Sequence, residues 1–293
     1  MDQSAQKMRL KDGRNLGFAE YGRDNGFPVI YCHGWPSSRL EAQPMSEVCL
    51  KSGVRMIAPD RPGLGLSDFQ PGRRIVDFTE DVRQLSAHLG LRKFAVLGIS
   101  GGGPYAVACA ARIPEQLSST LLVCSMAPAD APEATAGMVA LNRWLLSMAR
   151  RYPRVAYCVA GICLRAIWRR GEQPLPKQIE KRLPPADREA LTSSVLREAL
   201  SASSSEALRS GVRGAAADGL LYGRPWGFSL RDIRSSVFVW HGEKDVIVPA
   251  TMGHYLADSI PGCKAWFYPE DGHFSLPFTR LEEILKLADI GIK

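Results

Sequence analysis

Apolar positions along the chain switch between two periods. Short apolar runs at 28–32, 55–59, 94–98, 119–124, 236–240 and 264–268 predict buried strands. Between them apolar residues recur at helical spacing. An amphipathic stretch covers 40–52, a helix over 79–89 places Val82, Leu85 and Leu89 on one face, an alanine-rich helix covers 105–112, and another covers 249–259. Strands alternating with helices imply an α/β fold, a mostly parallel central sheet with helices on both faces.

From Pro128 the strand pattern lapses for about a hundred residues. Helical segments at 139–150, 155–169 and 185–200 take over, separated by breaks at 174–176, 184–185 and a serine run at 201–205. The expected organisation is a core made of 1–127 and 226–293, with 128–225 inserted as a helical cap.

With 293 residues, 45% of them hydrophobic, the chain is long enough for such a core and its insertion. Residues 1–13 are polar, with no apolar run followed by small residues, so neither a secretory signal nor a presequence is expected and the location reads as cytoplasmic. The longest apolar stretch, 155–164, is closed by Arg165 at roughly half the length that spans a bilayer, which excludes stable membrane insertion. Seven cysteines form an odd set without a CxxC pair or zinc-like histidine spacing, so no metal is expected and most should be reduced and buried. The net charge of +7 is concentrated in 128–225, which holds 15 Lys and Arg against nine Asp and Glu. No nucleic-acid motif accompanies it, so the expectation is a solvated basic face and no nucleic-acid partner. Oligomeric state is not legible in the sequence.

Gly98-Ile99-Ser100-Gly101-Gly102 matches G-x-S-x-G between an expected strand and an expected helix. A sharp turn there needs small neighbours and exposes Ser100 at the sheet's carboxyl edge, by a helix N-terminus suited to an oxyanion. A serine hydroxyl is a weak nucleophile without a base to take its proton. His273 follows the last expected strand on a loop able to reach that edge. His33 and His241 each precede a glycine at a strand end and read as structural, and His88 and His254 fall on helix surfaces. Asp245 is the best carboxylate to orient the imidazole, with Asp130 the alternative and Glu243 a weaker rival. The order Ser, Asp, His is the one this fold uses. The amides of Gly101 and of Trp35, in His33-Gly34-Trp35-Pro36, are the expected oxyanion donors.

These motifs, together with Asp60-Arg61-Pro62-Gly63-Leu64-Gly65-Leu66-Ser67, His241-Gly242-Glu243-Lys244-Asp245 and Gly272-His273, resemble those of capped α/β-hydrolases from about Arg9 onward. In that family the Asp60 motif closes a structural loop, so the resemblance implies no catalytic role for it. The His33 loop resembles that of epoxide hydrolases, whose nucleophile is aspartate; Ser100 in its place argues for an acyl-serine instead. Proline-releasing aminopeptidases carry acidic cap groups, unlike this basic insertion. Carbon–carbon bond hydrolases of ring-cleavage dienols use a similar triad and anionic substrates, which makes them the runner-up.

The leading expectation is a serine hydrolase acting on a carboxylic ester with a small or medium, largely apolar acyl group, without a cofactor. A non-turnover ligand receptor that keeps the triad is the alternative from another class. In 155–168, Val159, Ile162, Cys163 and Ile167 share a helical face that packs the cap or lines an acyl pocket. Its basic flanks, Arg150, Arg151, Arg154, Arg169 and Arg170, also suit an anionic lipid surface.

Overall fold

The computed structural model describes residues 3–131, 133–170 and 177–289. Its strands are β1 (Gln6–Arg9), β2 (Asn15–Gly22), β3 (Phe27–Cys32), β4 (Val54–Pro59), β5 (Phe94–Ile99), β6 (Leu117–Val123), β7 (Val237–Gly242) and β8 (Lys264–Tyr268). They form one sheet in the order β1-β2-β4-β3-β5-β6-β7-β8, as expected for a mostly parallel α/β core. Only the β1–β2 and β2–β4 pairs are antiparallel. Those two N-terminal strands lack the continuous apolar run of a strand covered on both faces. The alternating exposure of β1 is that of an edge strand, and β2 mixes Asn, Glu and Gly with its apolar residues.

The period of two along each strand sorts the core into two layers. Ile30, Val96, Leu122 and Val239 point to the face covered by α2 (Phe78–His88), α3 (Gly103–Arg112) and α10 (Ala250–Ser259). Val29, Tyr31, Leu97, Leu121 and Trp240 point to the other face, covered by α1 (Ser46–Lys51), α11 (Ser275–Thr279) and α12 (Leu281–Leu285). Every residue of β5, β6 and β7 is therefore buried. The carboxyl ends of these strands are held firmly enough to carry a site.

Between β6 and β7 the chain runs through α4 (Ala140–Arg151), α5 (Pro153–Arg170), α6 (Lys177–Glu180), α7 (Pro185–Ala190), α8 (Ser194–Ala207) and α9 (Arg213–Leu221). Two expectations are corrected here. The helix expected over 185–200 is two helices, and Ser193 caps the second by accepting the Leu196 amide. The serine run at 201–205 is not a break but lies inside α8. Ser203 is fully buried, shares a 2.7 Å hydrogen bond with the Ser37 hydroxyl and accepts the Ser38 amide at 3.0 Å. A serine whose hydroxyl finds a partner away from its own backbone does not end a helix. The expected break at 174–176 lies outside the described residues.

The apolar face of α5 is also not the expected one. Ala156 and Leu164 are buried, while Val155 and Ile162 point outward, the latter 70% exposed. Cys32, Cys49, Cys109 and Cys124 are buried free thiols as anticipated, but Cys158 and Cys163 are exposed on α5. Among the described residues no helix is long and apolar enough to cross a membrane.

Candidate active site

Strand β5 ends at Ile99, and the next residue, Ser100, takes φ of 56° before the chain turns into α3. Left-handed backbone is costly for a residue with a Cβ and persists only where surroundings impose it. Here the Ser100 carbonyl accepts the Met126 amide at 3.2 Å. At Gly102 a Cβ would overlap the Cys32 carbonyl, so the turn tolerates only glycine there. The hydroxyl of Ser100 is thereby lifted above the end of β5, half-buried at the mouth of a cavity.

Three residues distant in sequence meet at this point. Ser100 Oγ lies 3.0 Å from His273 Nε2, and His273 Nδ1 lies 2.7 Å from Asp245 Oδ2. Asp245 sits on the loop after β7 and His273 on the loop after β8. The other oxygen of Asp245 accepts the amides of Ile247 and Val248, both at 2.8 Å, which aims Oδ2 at the imidazole. With its Nδ1 proton donated to Asp245, His273 leaves Nε2 free to accept from Ser100.

The electrostatics follow from that geometry. Burial raises the Asp245 carboxyl, but the His273 charge and hydrogen bond, with the His241 imidazole 3.6 Å away, outweigh it and hold the group well below the usual carboxylate range. Burial lowers the His273 imidazole, and the Asp245 charge and hydrogen bond overcome that, with Asp187 and Glu41 adding to them, so the net shift is upward. Asp130 is exposed, whereas the carboxylate that meets His273 is that of Asp245, and Glu243 is engaged by His254 at 3.0 Å. His33 and His241 are buried and spent on local bonds, to the Gly34 and Val248 carbonyls at 2.9 and 2.8 Å. His88 and His254 are exposed.

Trp35 and Gly101 both border the cavity beside Ser100, and a Cβ on Gly101 would come within 3.2 Å of the Trp35 Cβ. The Trp35 indole donates to the Ala215 carbonyl at 2.8 Å. The loop that carries Trp35 is held by Arg61, whose guanidinium donates to the carbonyls of His33 and Gly34 and to Asp218 of α9. Asp60 accepts the amides of Arg39 and Leu66 at 2.7 and 2.8 Å. This motif is scaffolding for the turn next to the serine.

The cavity holds about 320 Å³, at the small end of ligand pockets. Its walls are mainly apolar, among them Met126, Met138, Leu146, Leu164, Leu208 and Val248, with polar groups from Ser100, Asn142, Tyr222 and serines of α8. Of the α5 face expected to line a pocket, Cys163 does so; Ala156, Ala160 and Leu164 supply the rest. The side chain of Ile167 lies outside the described residues.

Two residues on the helices between β6 and β7 were not singled out from the sequence. Asp187 accepts three backbone amides of the His273 loop, and Asp218 joins Arg61 and Arg73. No local motif marks either, because both partners are remote. Cys124, His241 and Asp245 have donor atoms within 4.8 Å of one another. Burial pushes the Cys124 thiol well above its ordinary range, keeping it protonated, and both Asp245 oxygens are already engaged. These three do not make a ready metal centre.

The family described as the alpha/beta hydrolase fold matches residues 28–156. A non-heme chloroperoxidase from Streptomyces lividans is 36% identical over 120 residues, 40% of this chain and 43% of that protein. A bifunctional esterase/perhydrolase from Acinetobacter calcoaceticus is 28% identical over 120 residues, 40% of this chain and 44% of its own length. The chain thus matches less than half the length of these curated relatives. Among solved structures, an esterase from Exiguobacterium antarcticum superposes with a TM-score of 0.68 over 96% of each chain at 17% identity, a likeness of fold.

Proposed function

We propose that this chain, an α/β-hydrolase-fold protein, is a serine esterase that cleaves a small or medium, largely apolar carboxylic ester through an acyl-serine intermediate. The observation that carries this reading is the hydrogen-bonded line from Ser100 through His273 to Asp245 at the rim of an apolar cavity. Ser100 Oγ attacks the ester carbonyl while His273 Nε2 takes its proton. Asp245 keeps the imidazole in the tautomer that accepts at Nε2 and stabilises the imidazolium formed. The amides of Trp35 and Gly101 receive the negative oxygen of the tetrahedral intermediate. The imidazolium then protonates the departing alkoxide, and water deacylates Ser100 by the same steps in reverse order. Residues 128–225 act as a cap over a core of 1–127 and 226–293 and supply most of the acyl pocket.

The carbon–carbon alternative rested on a basic cap suited to an anionic dienol. No charged side chain among the described residues lines the cavity, which favours a neutral acyl group. The likeness to an esterase/perhydrolase supports a second outcome of the same intermediate. Hydrogen peroxide in place of water would form the acyl–peroxide bond as the acyl–serine bond breaks, giving a peracid and the free hydroxyl.

A chain-length series of aryl esters, run with and without hydrogen peroxide and beside a ring-cleavage dienol, tests these readings. Sustained ester turnover that disappears in Ser100→Ala is the expected result. Single turnover with retained product would point instead to a receptor, and dienol cleavage without ester cleavage would overturn the esterase reading.

A further inference from the structure

The carboxylate of Asp187, on α7, is fully buried and ends against the loop that carries His273. Its Oδ2 accepts the amide of His273 at 2.9 Å, and its Oδ1 accepts those of Phe274 and Ser275, each also at 2.9 Å. The preceding amide, of Gly272, donates to Ser275 Oγ at 2.9 Å. Four successive amides in a buried loop thus have partners, three of them on one side chain from a different part of the chain. The fit is close: a Cβ on Gly272 would overlap the Asp187 carboxylate.

We infer that Asp187 is a positioning residue for the base: by gathering the amides of residues 273–275 it fixes the backbone from which His273 reaches both Ser100 and Asp245. The inference deepens the serine-hydrolase reading and rests on it. With the His273 backbone held, the side chain has only two torsions to set. Both are spent on bringing Nδ1 to Asp245 and Nε2 to Ser100. Without the carboxylate, three buried amides would be left unsatisfied and the loop would move to pair them, taking the imidazole with it.

Charge acts in the same direction. The groups that face the imidazole are Asp245 from the loop after β7 and, beside that carboxylate, His241 at the end of β7, with Asp187 from α7 and Glu41 from the turn after β3. The carboxylate of Asp187 favours the imidazolium that forms as Ser100 loses its proton. Because α7 belongs to the helices between β6 and β7, the seating of those helices and the readiness of the base are one event. A displaced α7 withdraws the acceptor from all three amides at once.

The test compares wild type with Asp187→Asn and Asp187→Glu. The carboxamide keeps the shape but loses the charge and turns an N–H toward at least one amide. For Asp187→Asn the expected result is a fall in kcat of roughly ten- to a hundredfold with a smaller change in KM. The acid limb of kcat/KM should move down by roughly half a pH unit or more. Asp187→Glu retains the charge on a longer arm, so kcat should fall while the limb stays in place. A purely structural role would lower the unfolding midpoint and leave kcat per fluorophosphonate-titrated serine and the pH limb unchanged; that outcome overturns the inference. Should Asp187→Asn not fold, Asp187→Glu decides, and an undiminished kcat there is equally fatal. NMR titration of the His273 imidazole needs no turnover. A wild type that neither hydrolyses esters nor takes up fluorophosphonate refutes the esterase reading, while equal His273 titration in wild type and Asp187→Asn refutes this one.

Discussion

Arg61 and Asp218 meet at 2.8 Å with neither side chain reaching solvent, one from the turn after β4 and the other from α9. Arg73 engages the second oxygen of the same carboxylate. Burial alone would raise the Asp218 carboxyl, but two guanidiniums reverse that and hold it far below the ordinary range. Replacing Asp218 with alanine leaves both arginines buried without a counter-charge, an expected loss of about 3–5 kcal/mol measured by urea unfolding at pH 7. A loss under about 1 kcal/mol would show that the cluster is solvated in solution.

The same pair sets a pH dependence. A carboxylate whose folded pKa is depressed contributes stability above its ordinary value of 3.8, and that contribution fades as pH falls through the lower folded value. Acid unfolding of the wild type should therefore steepen below about pH 4, and Asp218→Asn should flatten that part of the curve. Parallel acid curves for the two proteins would contradict this.

Ser100→Ala should lower kcat by about a million-fold, leaving the residual contribution of binding and the oxyanion donors. Asp245→Asn should fold normally and lose about ten-thousand-fold through the wrong imidazole tautomer. Asp130→Asn should be close to wild type, since Asp130 is exposed and His273 Nδ1 is already paired with Asp245. Rates of aryl ester hydrolysis on folded protein decide between them, and a large loss at Asp130 would reassign the acid.

Only neutral His273 can accept the serine proton, and its pKa is shifted above 6.5. The rate on a neutral ester should rise with pH through a limb lying above 6.5. The protonated form is also the one the folded protein favours, so this residue's contribution to stability is complete below 6.5 and is lost as pH rises through the folded value. A rate that stays flat from pH 6 to 8 would be inconsistent with His273 as base.

Ala160 and Leu164 of α5 border the cavity. Ala160→Phe should shorten the longest accepted acyl chain, lowering kcat/KM for long-chain aryl esters by roughly ten- to two-hundredfold while sparing the acetate. An equal loss on every chain length would place the acyl group elsewhere.

Much of the site was legible because its signals are local. Ser100 lies in a five-residue turn that only a strand-to-helix reversal explains, and Asp245 and His273 each follow a strand whose carboxyl end a parallel sheet brings to one edge. What escaped depends on distant partners. Asp187 and His273 are 86 positions apart, and Asp218 and Arg61 are 157 apart, so neither pair leaves a periodic trace. Ser203 looked like a break because serine commonly competes for backbone bonds, yet Ser37 and Ser38 occupy its hydroxyl. The α5 face was misplaced for a related reason: small alanines, not the larger Ile162, face the cavity.

The carboxylate against residues 273–275 also bears on recombination. The segment joining β6 to β7 looks exchangeable, since it leaves the sheet and returns at adjacent strands. A donor segment that brought no acceptor to those three amides would deliver a new pocket together with a misaligned imidazole. Chimeras made for altered selectivity should therefore retain 185–190, or import an acid that lands in the same spot.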